Sequence, residues 1–365
     1  MKRVLLVGAG HAQLAVLGAL TRQRLPGAQV LLVTAHARQF YSGMLPGLVA
    51  GRFSEDDCAI DIVALASAAG VHLRIGLAAA LDTAARGVTL ADGERIGYDW
   101  LSLNTGPTQR RDRIEGAREH ALFVRPIEAF VANWRRTRQL AEAEPLSVVV
   151  IGNGAAGFEL AMAMRRALGA LAELTLVSDG PVLPAYPEAV RTRAMTALRQ
   201  AQVQVLPGLC TAIERTHVHV GTMRVACDVP IMAIGADAPT WLAGSGLALD
   251  NGGFVQVGAT WQSASHPEIL ATGDMSVRTD APQPRSGVYA VRAGPLLAAN
   301  LRALSVGGVL QPGATNPRSL NLLSTGDGRA IASWGTWSAQ GRLVGWWKDR
   351  IDRGFIARYR VPLAG

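Results

Sequence analysis

One pattern occurs twice in this chain, with the first glycines of the two copies 144 residues apart. In each copy a short apolar run, at residues 4–7 or 148–151, leads into closely spaced glycines and then into a helical pattern. A second apolar run follows, and Thr34 and Ser178 each lie 24 positions after the second glycine of their copy. Two strand–turn–helix–strand units of equal length predict an α/β protein with two parallel sheets.

The glycines in these turns are typical of nucleotide binding. The first copy has Gly8 and Gly10, and the second has Gly152, Gly154 and Gly157. The first glycine permits a tight turn, the second lets a pyrophosphate approach the backbone, and the third allows close packing of helix on strand. The helix amino terminus then offers N–H groups and a partial positive charge to the phosphates. The sequence therefore predicts two dinucleotide sites.

The two copies depart from this pattern in different places. Gln13 replaces the third glycine of the first copy, so we expect the helix to pack differently there. Thr34 and Ser178 replace the acidic residue that usually binds a ribose 2′-hydroxyl, and Asp179, one residue later, is a candidate to take its place in the second copy. Because no arginine lies directly beside Ser178 to favour a 2′-phosphate, we expect a mild preference for NADH over NADPH.

Composition and charge exclude several other classes of protein. The formal net charge is +8, but lysine occurs only at Lys2 and Lys348, the arginines are scattered, and no nucleic-acid-binding motif is present, so we expect no nucleic-acid partner. Cys58, Cys210 and Cys227 are odd in number and far apart, which fits a reducing cytoplasm and no disulfide framework. No apolar run is long enough to span a membrane, and the amino terminus is interpreted as a strand rather than a signal peptide.

Three later segments add a more specific signal. Residues 98–106 and 228–235 each look like a strand and turn that leaves a nucleotide-binding domain, and residues 269–274 end in Gly273-Asp274. With the two glycine turns, they make residues 1–305 resemble the flavoproteins with two dinucleotide-binding domains, which include the pyridine nucleotide-disulfide oxidoreductases. The resemblance implies two nested Rossmann-like domains and a small C-terminal cap, and it implies that Asp274 binds the ribityl chain of FAD.

The same resemblance implies domain bounds and cofactor contacts. An FAD-binding domain is expected at residues 1–110 and 244–317, an NAD(P)-binding domain at 111–243, and a C-terminal cap or interface segment at 318–365. The residues expected to contact FAD are Gly8, Gly10, His11, Ala12, Thr34, Ser42, Gly43, Met44, Leu45, Pro46, Thr105, Gly106, Gly273, Asp274, Tyr289 and Ala290. Those expected to contact NADH or NADPH are Gly152, Gly154, Ala155, Ala156, Gly157, Ser178, Asp179 and Gly235.

The loop at residues 40–47 separates the branches of this family. Disulfide reductases carry two cysteines there, and sulfide:quinone oxidoreductases also need a cysteine pair near the flavin, but this loop contains none. Its end, at residues 44–46, looks more like the matching loop of type II NADH dehydrogenases, and it resembles still more closely the flavoprotein module found ahead of selenide, water dikinase in some fused bacterial proteins. Type II dehydrogenases place glutamines beside the quinone, where this chain has Val288, Arg292 and Ala293. The electron acceptor therefore stays open.

Few catalytic side chains are expected, because the cofactors themselves carry the hydride chemistry. Glu159 lies where the family places a glutamate near the nicotinamide, and it is predicted either to orient the nicotinamide or help proton transfer, or to be a plain helix-face carboxylate. Arg292 is predicted near the flavin, with a salt-bridged helix residue as the alternative. No metal site is expected.

The sequence thus predicts an FAD-dependent NAD(P)H oxidoreductase, similar to type II NADH dehydrogenases, that passes electrons to a quinone or another small acceptor. Two alternatives stay open. One is a flavoprotein with a structural or signalling role that acts through a protein partner, and the other is an FAD-dependent oxidase of a substrate unrelated to nicotinamide.

The tail from residue 333 has a different composition, with four of the eight tryptophans of the chain. A helix is predicted from about residue 343, with one apolar stripe formed by Val344, Trp347, Ile351, Phe355 and Tyr359. Such a basic, aromatic helix can lie on an anionic membrane surface. It can also cap the flavin or form a homodimer contact. We therefore expect a cytoplasmic protein, with peripheral contact to the inner face of the cell membrane as an open alternative.

Overall fold

The computed structural model describes residues 1–314 and 318–361. Residues 315–317 and 362–365, at the ends of two of the expected segments, lie outside the described residues. The described part of the chain is a mixed α/β protein with two Rossmann-like parallel sheets and a C-terminal cap, which confirms the predicted fold class.

The first parallel sheet has five strands. In spatial order they are Ile269–Ala271, Trp100–Leu103, Lys2–Val7, Ala28–Thr34 and His72–Ile75. Register aligns Val7 with Val33 on one side and with Leu103 on the other, so the neighbouring strands end together. Because the strand at 269–271 joins this sheet after the second sheet is complete, one domain is nested within the other.

Two long helices, His11–Leu20 and Gly287–Ser305, pack against each other beside the first sheet. Gly294 permits this close approach, since a Cβ added there would lie 2.5 Å from the Cβ of Ala15. A third helix, Ile62–Ala69, contacts the first of them and ends at Gly70, whose positive φ of 57° suits glycine.

The second parallel sheet repeats this order. Its strands are Leu122–Phe123, Val229–Met232, Leu146–Ile151, Ala172–Ser178 and Gln204–Pro207. Its long helices are Ile127–Ala143, Ala155–Leu168 and Glu188–Gln200. Alternate residues of the central strand enter two different cores, because both faces of the sheet are covered.

Each domain also carries a three-stranded antiparallel sheet between its outer strand and the strand that returns to the middle. In the first domain the strands are Ala78–Asp82, Gly87–Leu90 and Arg95–Gly97. In the second they are Cys210–Ile213, His217–Val220 and Met223–Ala226. The internal repeat therefore extends beyond the glycine turns.

Shorter elements complete the two domains. Strands Arg38–Phe40 and Ala59–Asp61 form an antiparallel pair, and strands Val255–Val257 and Ser276–Arg278 form a parallel pair. The short helices are Leu45–Val49, Glu55–Cys58 and Ala117–His120, with 3-10 turns at Ser42–Met44, Gly169–Leu171, Thr240–Leu242 and Gly273–Met275.

The C-terminal cap consists of strands Asn321–Ser324, Ala330–Trp334 and Trp337–Gly341, followed by helix Arg342–Tyr359. The helix buries Gly345, Lys348, Asp352, Phe355, Ile356 and Tyr359. No helix within residues 1–314 and 318–361 is both long and apolar enough to cross a membrane.

The predicted apolar stripe of this helix is buried only in part. Phe355 and Tyr359 are buried, but Trp347 and Ile351 are 40% and 43% exposed. The helix is rotated so that its Lys348–Asp352 ion pair faces the first domain, where Lys348 also donates to the carbonyl of Gly43. Buried polar groups with partners thus determine which face of the helix is buried, and apolar spacing alone does not reveal this.

Candidate functional site

The carboxyl ends of strands in the second parallel sheet line a cavity of about 880 Å³. In doubly wound α/β proteins, ligands bind at this end of the strands. The second domain lines most of the cavity, with its glycine turn and the start of the following helix. The first domain contributes Ser42, Leu45 and Pro46, the connection between the domains contributes Gln109, and Arg125 lies between the strand Leu122–Phe123 and the helix Ile127–Ala143 of the second domain.

The second glycine turn is tightly built. Gly152 has a φ of +139°, which other residues rarely adopt, and its amide donates to the carbonyl of Val177 on the neighbouring strand. A Cβ added at Gly157 would overlap the carbonyl oxygen of Gly152, so the helix rests directly on the turn. At Gly154, in contrast, no heavy atom of the described residues other than its two chain neighbours lies within 4 Å of an added Cβ. A ligand can therefore approach the backbone at Gly154.

The helix that follows this turn presents unused donors. Ala155, Ala156 and Gly157 form its first turn, and their N–H groups have no acceptor within the described part of the chain. Four unpaired N–H groups and a partial positive charge are the usual features of a helix amino terminus. Since Ala155 and Ala156 line the cavity, these donors fit the pyrophosphate of a nicotinamide dinucleotide.

At the end of the neighbouring strand, Ser178 and Asp179 have different environments. Ser178 is buried and its hydroxyl donates to the carbonyl of Gly180 at 2.7 Å, so the hydroxyl is already used within the turn. Asp179 lines the cavity, and its backbone carbonyl accepts from the Asn153 side chain at 2.6 Å. Gly235 lines the same cavity. The structure thus brings Asp179 and Gly235 to the site and turns Ser178 away from it.

The first glycine turn differs because Asn104 fills it. The Asn104 Oδ1 accepts from the backbone N–H groups of Ala12 and Gln13, at 3.2 and 3.3 Å. A Cβ added at Gly10 would overlap this oxygen and would lie 2.6 Å from the Asn104 carbonyl oxygen. Gly10 is therefore needed to accommodate a side chain of the protein itself. Of the first three N–H groups of this helix, the one at His11 has no acceptor among the described residues.

Gln13, which replaces the third glycine of this turn, bonds to the neighbouring strand. Its side chain is buried, and Nε2 donates to the carbonyl of Ser102 at 2.7 Å and to the Ser102 hydroxyl at 3.2 Å. The amide therefore spans the gap between helix and strand that glycine closes at Gly157. Asn104 and Gln13 were not among the predicted site residues. The comparison of Asn104 with Ala233, its counterpart in the second copy, is the sequence signal that could have identified it.

The region expected to hold the flavin lies beside the first turn. Asp274 is mostly buried; burial raises the pKa of its carboxyl group, and the nearby Arg125 and Arg285 oppose this. Its Oδ1 has no hydrogen-bond partner among the described residues, and its Oδ2 lies 3.9 Å from the Arg125 guanidinium. A buried carboxylate oxygen without a donor fits the hydroxyl groups of a ribityl chain. Arg125 was not a predicted site residue either.

The other predicted flavin contacts lie on several elements. His11 packs against Tyr41 and Phe355, with ring centroids 5.2 and 5.5 Å apart, and burial followed by the Arg125 charge lowers its pKa to about 4. Ser42 and Gly43 begin the turn ahead of Met44, Leu45 and Pro46, which are buried. Thr34 is buried at the end of its strand, and Thr105 and Gly106 follow the strand Trp100–Leu103. The other expected contacts lie around the first turn and the start of helix Gly287–Ser305, at Gly8, Gly273, Tyr289 and Ala290.

Arg292 is not placed in the cavity. It is exposed, and its guanidinium donates to the carbonyl of Arg318 at 3.2 Å and lies 5.8 Å from the Tyr289 ring centroid.

Glu159 connects the cavity with the cap. It lines the cavity, and its Oε1 accepts from the backbone N–H of Ser324 at 2.7 Å. Burial raises the pKa of its carboxyl to about 7, although the positive charge of Lys348 opposes the shift. Burial lowers the pKa of Lys348, but Asp352 and Glu159 outweigh this and raise it overall. A carboxyl that titrates near neutral pH is therefore held at the cavity wall.

The cysteines take no part in this site as nucleophiles. Cys58, Cys210 and Cys227 are free and buried, and burial raises the pKa of each thiol, to about 11 for Cys210 and about 12 for the other two. Within the described ranges no group of three or more His, Cys, Asp or Glu side chains could hold a metal ion.

A family model, related sequences and solved structures all relate this chain to nicotinamide-dependent oxidoreductases. The family model for pyridine nucleotide-disulphide oxidoreductases matches residues 2–294. Demethylphylloquinone reductase NdbB of Synechocystis is 23% identical over 294 residues, which cover 76% of this chain and 73% of that protein. The alternative NAD(P)H-ubiquinone oxidoreductase C1 of Arabidopsis thaliana is 27% identical over 53% of this chain and 43% of its own length. The structure of NDH2 from Plasmodium falciparum in complex with NADH has the same fold, with a TM-score of 0.81, 13% identity, and 98% and 97% of the two chains covered.

Proposed function

Because this chain belongs to the pyridine nucleotide-disulphide oxidoreductase family, and is an NADH dehydrogenase-like oxidoreductase that uses FAD and NAD(P)H, we propose that it oxidises NADH and reduces a quinone. The observation that carries the proposal is one shared cavity, which the open second glycine turn, Glu159 and the loop residues Ser42, Leu45 and Pro46 all line. A nicotinamide dinucleotide bound at that turn would extend toward the first domain.

The residues of the chain have distinct tasks in this proposal. The N–H groups of Ala155 and Ala156 bind the dinucleotide pyrophosphate, and Asp179 accepts from a ribose 2′-hydroxyl, which favours NADH because a 2′-phosphate would meet a carboxylate. In the first domain Asp274 accepts from the ribityl hydroxyls and Arg125 neutralises the negative charge beside it. FAD held by these residues would supply the chemistry that takes up a hydride and passes its two electrons to the second substrate.

In this proposal the carboxyl group of Glu159 takes up and releases the proton. The reaction of NADH and a quinone to NAD⁺ and a quinol consumes one proton in addition to the hydride. The Oε1 of Glu159 is held by Ser324, so Oε2 is the atom that carries the proton, and its pKa of about 7 suits both release and uptake at neutral pH. Lys348 positions this carboxyl electrostatically from the cap.

Rapid mixing tests the identity of the acceptor. The FAD-loaded protein is reduced anaerobically with one equivalent of NADH and then mixed with a water-soluble ubiquinone or menaquinone analogue, or with oxygenated buffer. We expect the quinone to reoxidise the flavin within milliseconds to seconds and oxygen to react far more slowly. Reoxidation by oxygen that is faster than by either quinone would contradict the proposal and favour an oxidase.

We further propose that the cap contacts an anionic membrane surface, which would bring the protein close to quinones dissolved in the bilayer. Leu343, Trp346 and Trp347 are 83%, 62% and 40% exposed on the cap helix, and Trp334 and Trp337 are more than half exposed on the adjoining hairpin. Exposed arginines accompany them on the helix, at positions such as Arg342 and Arg350. Tryptophan with arginine is the combination that favours the interface of an anionic bilayer.

Sedimentation with lipid vesicles tests this contact. We expect binding to vesicles that contain phosphatidylglycerol, weaker binding to pure phosphatidylcholine, and loss of binding in Trp346→Ser/Trp347→Ser. The same chain is examined by analytical ultracentrifugation. A homodimer that dissociates in the double variant, together with no vesicle binding, would contradict the membrane contact and assign this face to self-association.

A further inference from the structure

The strongest feature that the proposed function leaves unexplained is the buried side chain of Asn104. It is 2% exposed and makes three hydrogen bonds, all to backbone atoms far away in sequence. Two of them come from Ala12 and Gln13, in the first turn of helix His11–Leu20. The third runs from Nδ2 to the carbonyl of Thr272 at 2.7 Å, directly ahead of Gly273 and Asp274. One carboxamide therefore joins two separate turns.

The two turns make room for this carboxamide. A Cβ added at Gly10 would overlap Oδ1, and a Cβ added at Gly273 would lie 2.6 Å from Nδ2. Each turn thus has a glycine on the side that faces Asn104. In the second domain the equivalent residue is Ala233, which has no side chain that could reach either turn, and the helix N–H groups there stay open.

We propose that Asn104 is a positioning residue for FAD, which holds the phosphate-binding turn and the Gly273–Asp274 turn at a fixed separation before the cofactor binds. In this placement the pyrophosphate lies at the first turn, where the N–H of His11 is left open by Asn104, and the ribityl chain lies at the second, so the two turns hold neighbouring parts of one ligand. The proposal rests on this placement of FAD, which is part of the proposed function, and not on the identity of the acceptor.

The physical reason is the cost of ordering a site around a long ligand. A ligand that spans two half-sites gains the full affinity of both only when their separation is already correct. A side chain that fixes this separation lowers the cost for the whole ligand and contributes little to the binding of either half alone. FAD remains bound through many turnovers, whereas NAD⁺ must leave after each one, which accounts for asparagine at the first turn and alanine at the second.

Ligand titrations of the apoprotein test this. FAD, ADP and riboflavin are titrated separately into the unaltered chain and Asn104→Ala, with binding followed by flavin fluorescence or calorimetry. We expect the Kd for FAD to rise about tenfold or more, which corresponds to the loss of a helix cap and a buried hydrogen bond. The Kd values for ADP and riboflavin should each rise less than about threefold, since each ligand occupies one half-site.

Asn300→Ala is the matched control. Asn300 is also fully buried and also makes three hydrogen bonds to backbone atoms, of Thr260 and Gln311, but it joins no cofactor turns. It should lower the melting temperature about as much as Asn104→Ala and leave the Kd for FAD unchanged. An equal rise in the Kd for FAD and ADP in Asn104→Ala, or an equal rise in the Kd for FAD in both variants, would overturn the proposal.

If Asn104→Ala does not fold, Asn104→Asp replaces it. Aspartate caps a helix as well as asparagine does, but it has no N–H to donate to Thr272. We expect this variant to fold and to bind FAD more weakly relative to ADP than the unaltered chain does. Charge repulsion alone would weaken ADP and FAD by the same factor, and that result would overturn the proposal. Failure of the unaltered chain to bind FAD at all would contradict the cofactor assignment and this proposal together.

Discussion

The two glycine turns begin with the same geometry and end with opposite uses of the helix amino terminus. Gly8 and Gly152 both have positive φ, and a Cβ on either would press against the carbonyl of the residue that directly follows a neighbouring strand, Asn104 or Ala233. Beyond that point, the first turn is filled by the Asn104 side chain, whereas the second stays open toward a cavity.

The difference shows that one sequence motif can satisfy two physical demands. At Gly154 the missing Cβ leaves space for a ligand, and at Gly10 it leaves space for a side chain of the protein. The first turn is therefore stabilised internally, as suits a resident cofactor. The second turn gains its binding free energy from the ligand, as suits a substrate that must leave. Four predictions test this contrast, in decreasing order of expected effect.

The largest effect is expected at the contact between helix and turn in the second domain. Gly157→Ala should destabilise the protein by about 3 kcal/mol, because the new Cβ would overlap the Gly152 carbonyl and the helix would have to move. Urea unfolding followed by circular dichroism measures this. Gly354→Ala is the matched control, since Gly354 lies in a helix with no neighbour of the described residues within 4 Å of an added Cβ, and it should stabilise the protein by up to about 1 kcal/mol. Equal effects in the two variants would contradict the packing described here.

The paired substitutions Gly10→Ala and Gly154→Ala should separate folding from ligand binding. Gly10→Ala should cost about 1–3 kcal/mol of unfolding free energy, since its Cβ would meet Asn104. Gly154→Ala should leave the melting temperature nearly unchanged and raise the Kd for NADH about tenfold, since its Cβ would stand where the pyrophosphate approaches. Thermal unfolding and NADH titration report the two effects. A loss of stability in Gly154→Ala with none in Gly10→Ala would contradict the different roles assigned to the two turns.

Glu159→Gln tests the group that joins the second turn to the cap. In the folded protein the carboxyl has a pKa raised from 4.5 to about 7, so the folded state binds more protons than the unfolded state between these values. The unaltered chain should therefore lose stability as the pH rises through this range, and Glu159→Gln should lose less. The pH dependence of quinone reduction near pH 7 should also flatten in the variant.

Melting temperatures from about pH 5 to pH 8 check the first effect and steady-state rates check the second. Glu173→Gln, at an exposed position of the neighbouring strand, should match the unaltered chain in both. Parallel pH profiles for the unaltered chain and Glu159→Gln would remove Glu159 from the proposed proton transfer.

The smallest effect is expected at the ribose end of the second turn. Asp179→Asn should reduce the preference for NADH over NADPH about tenfold, because a 2′-phosphate would no longer meet a carboxylate. The ratio of kcat/KM for the two nucleotides measures this. Ser178→Ala should leave the ratio unchanged, because the Ser178 hydroxyl is bonded to Gly180 and lies outside the cavity. A larger change for Ser178→Ala than for Asp179→Asn would move the ribose contact to Ser178.

The local pattern of the sequence was enough to predict the two parallel sheets, because each strand, turn and helix is encoded within about 30 residues, whereas their nesting was predicted from the family resemblance. The occupant of the first turn could not be predicted in this way. Asn104 bonds to Ala12 and Thr272, which are 92 and 168 positions away, and no periodicity in the sequence reports contacts over such distances. The rotation of the cap helix has a similar origin, since Lys348 reaches the carbonyl of Gly43, 305 positions away.

An anaerobic titration of the FAD-loaded protein with NADH tests the central claim most directly, namely that the open second turn delivers a nicotinamide to a flavin held by the first. The account predicts that the long-wavelength flavin absorbance decreases in proportion to added NADH and is lost at one equivalent per FAD. Absence of any flavin reduction by either NADH or NADPH would contradict it.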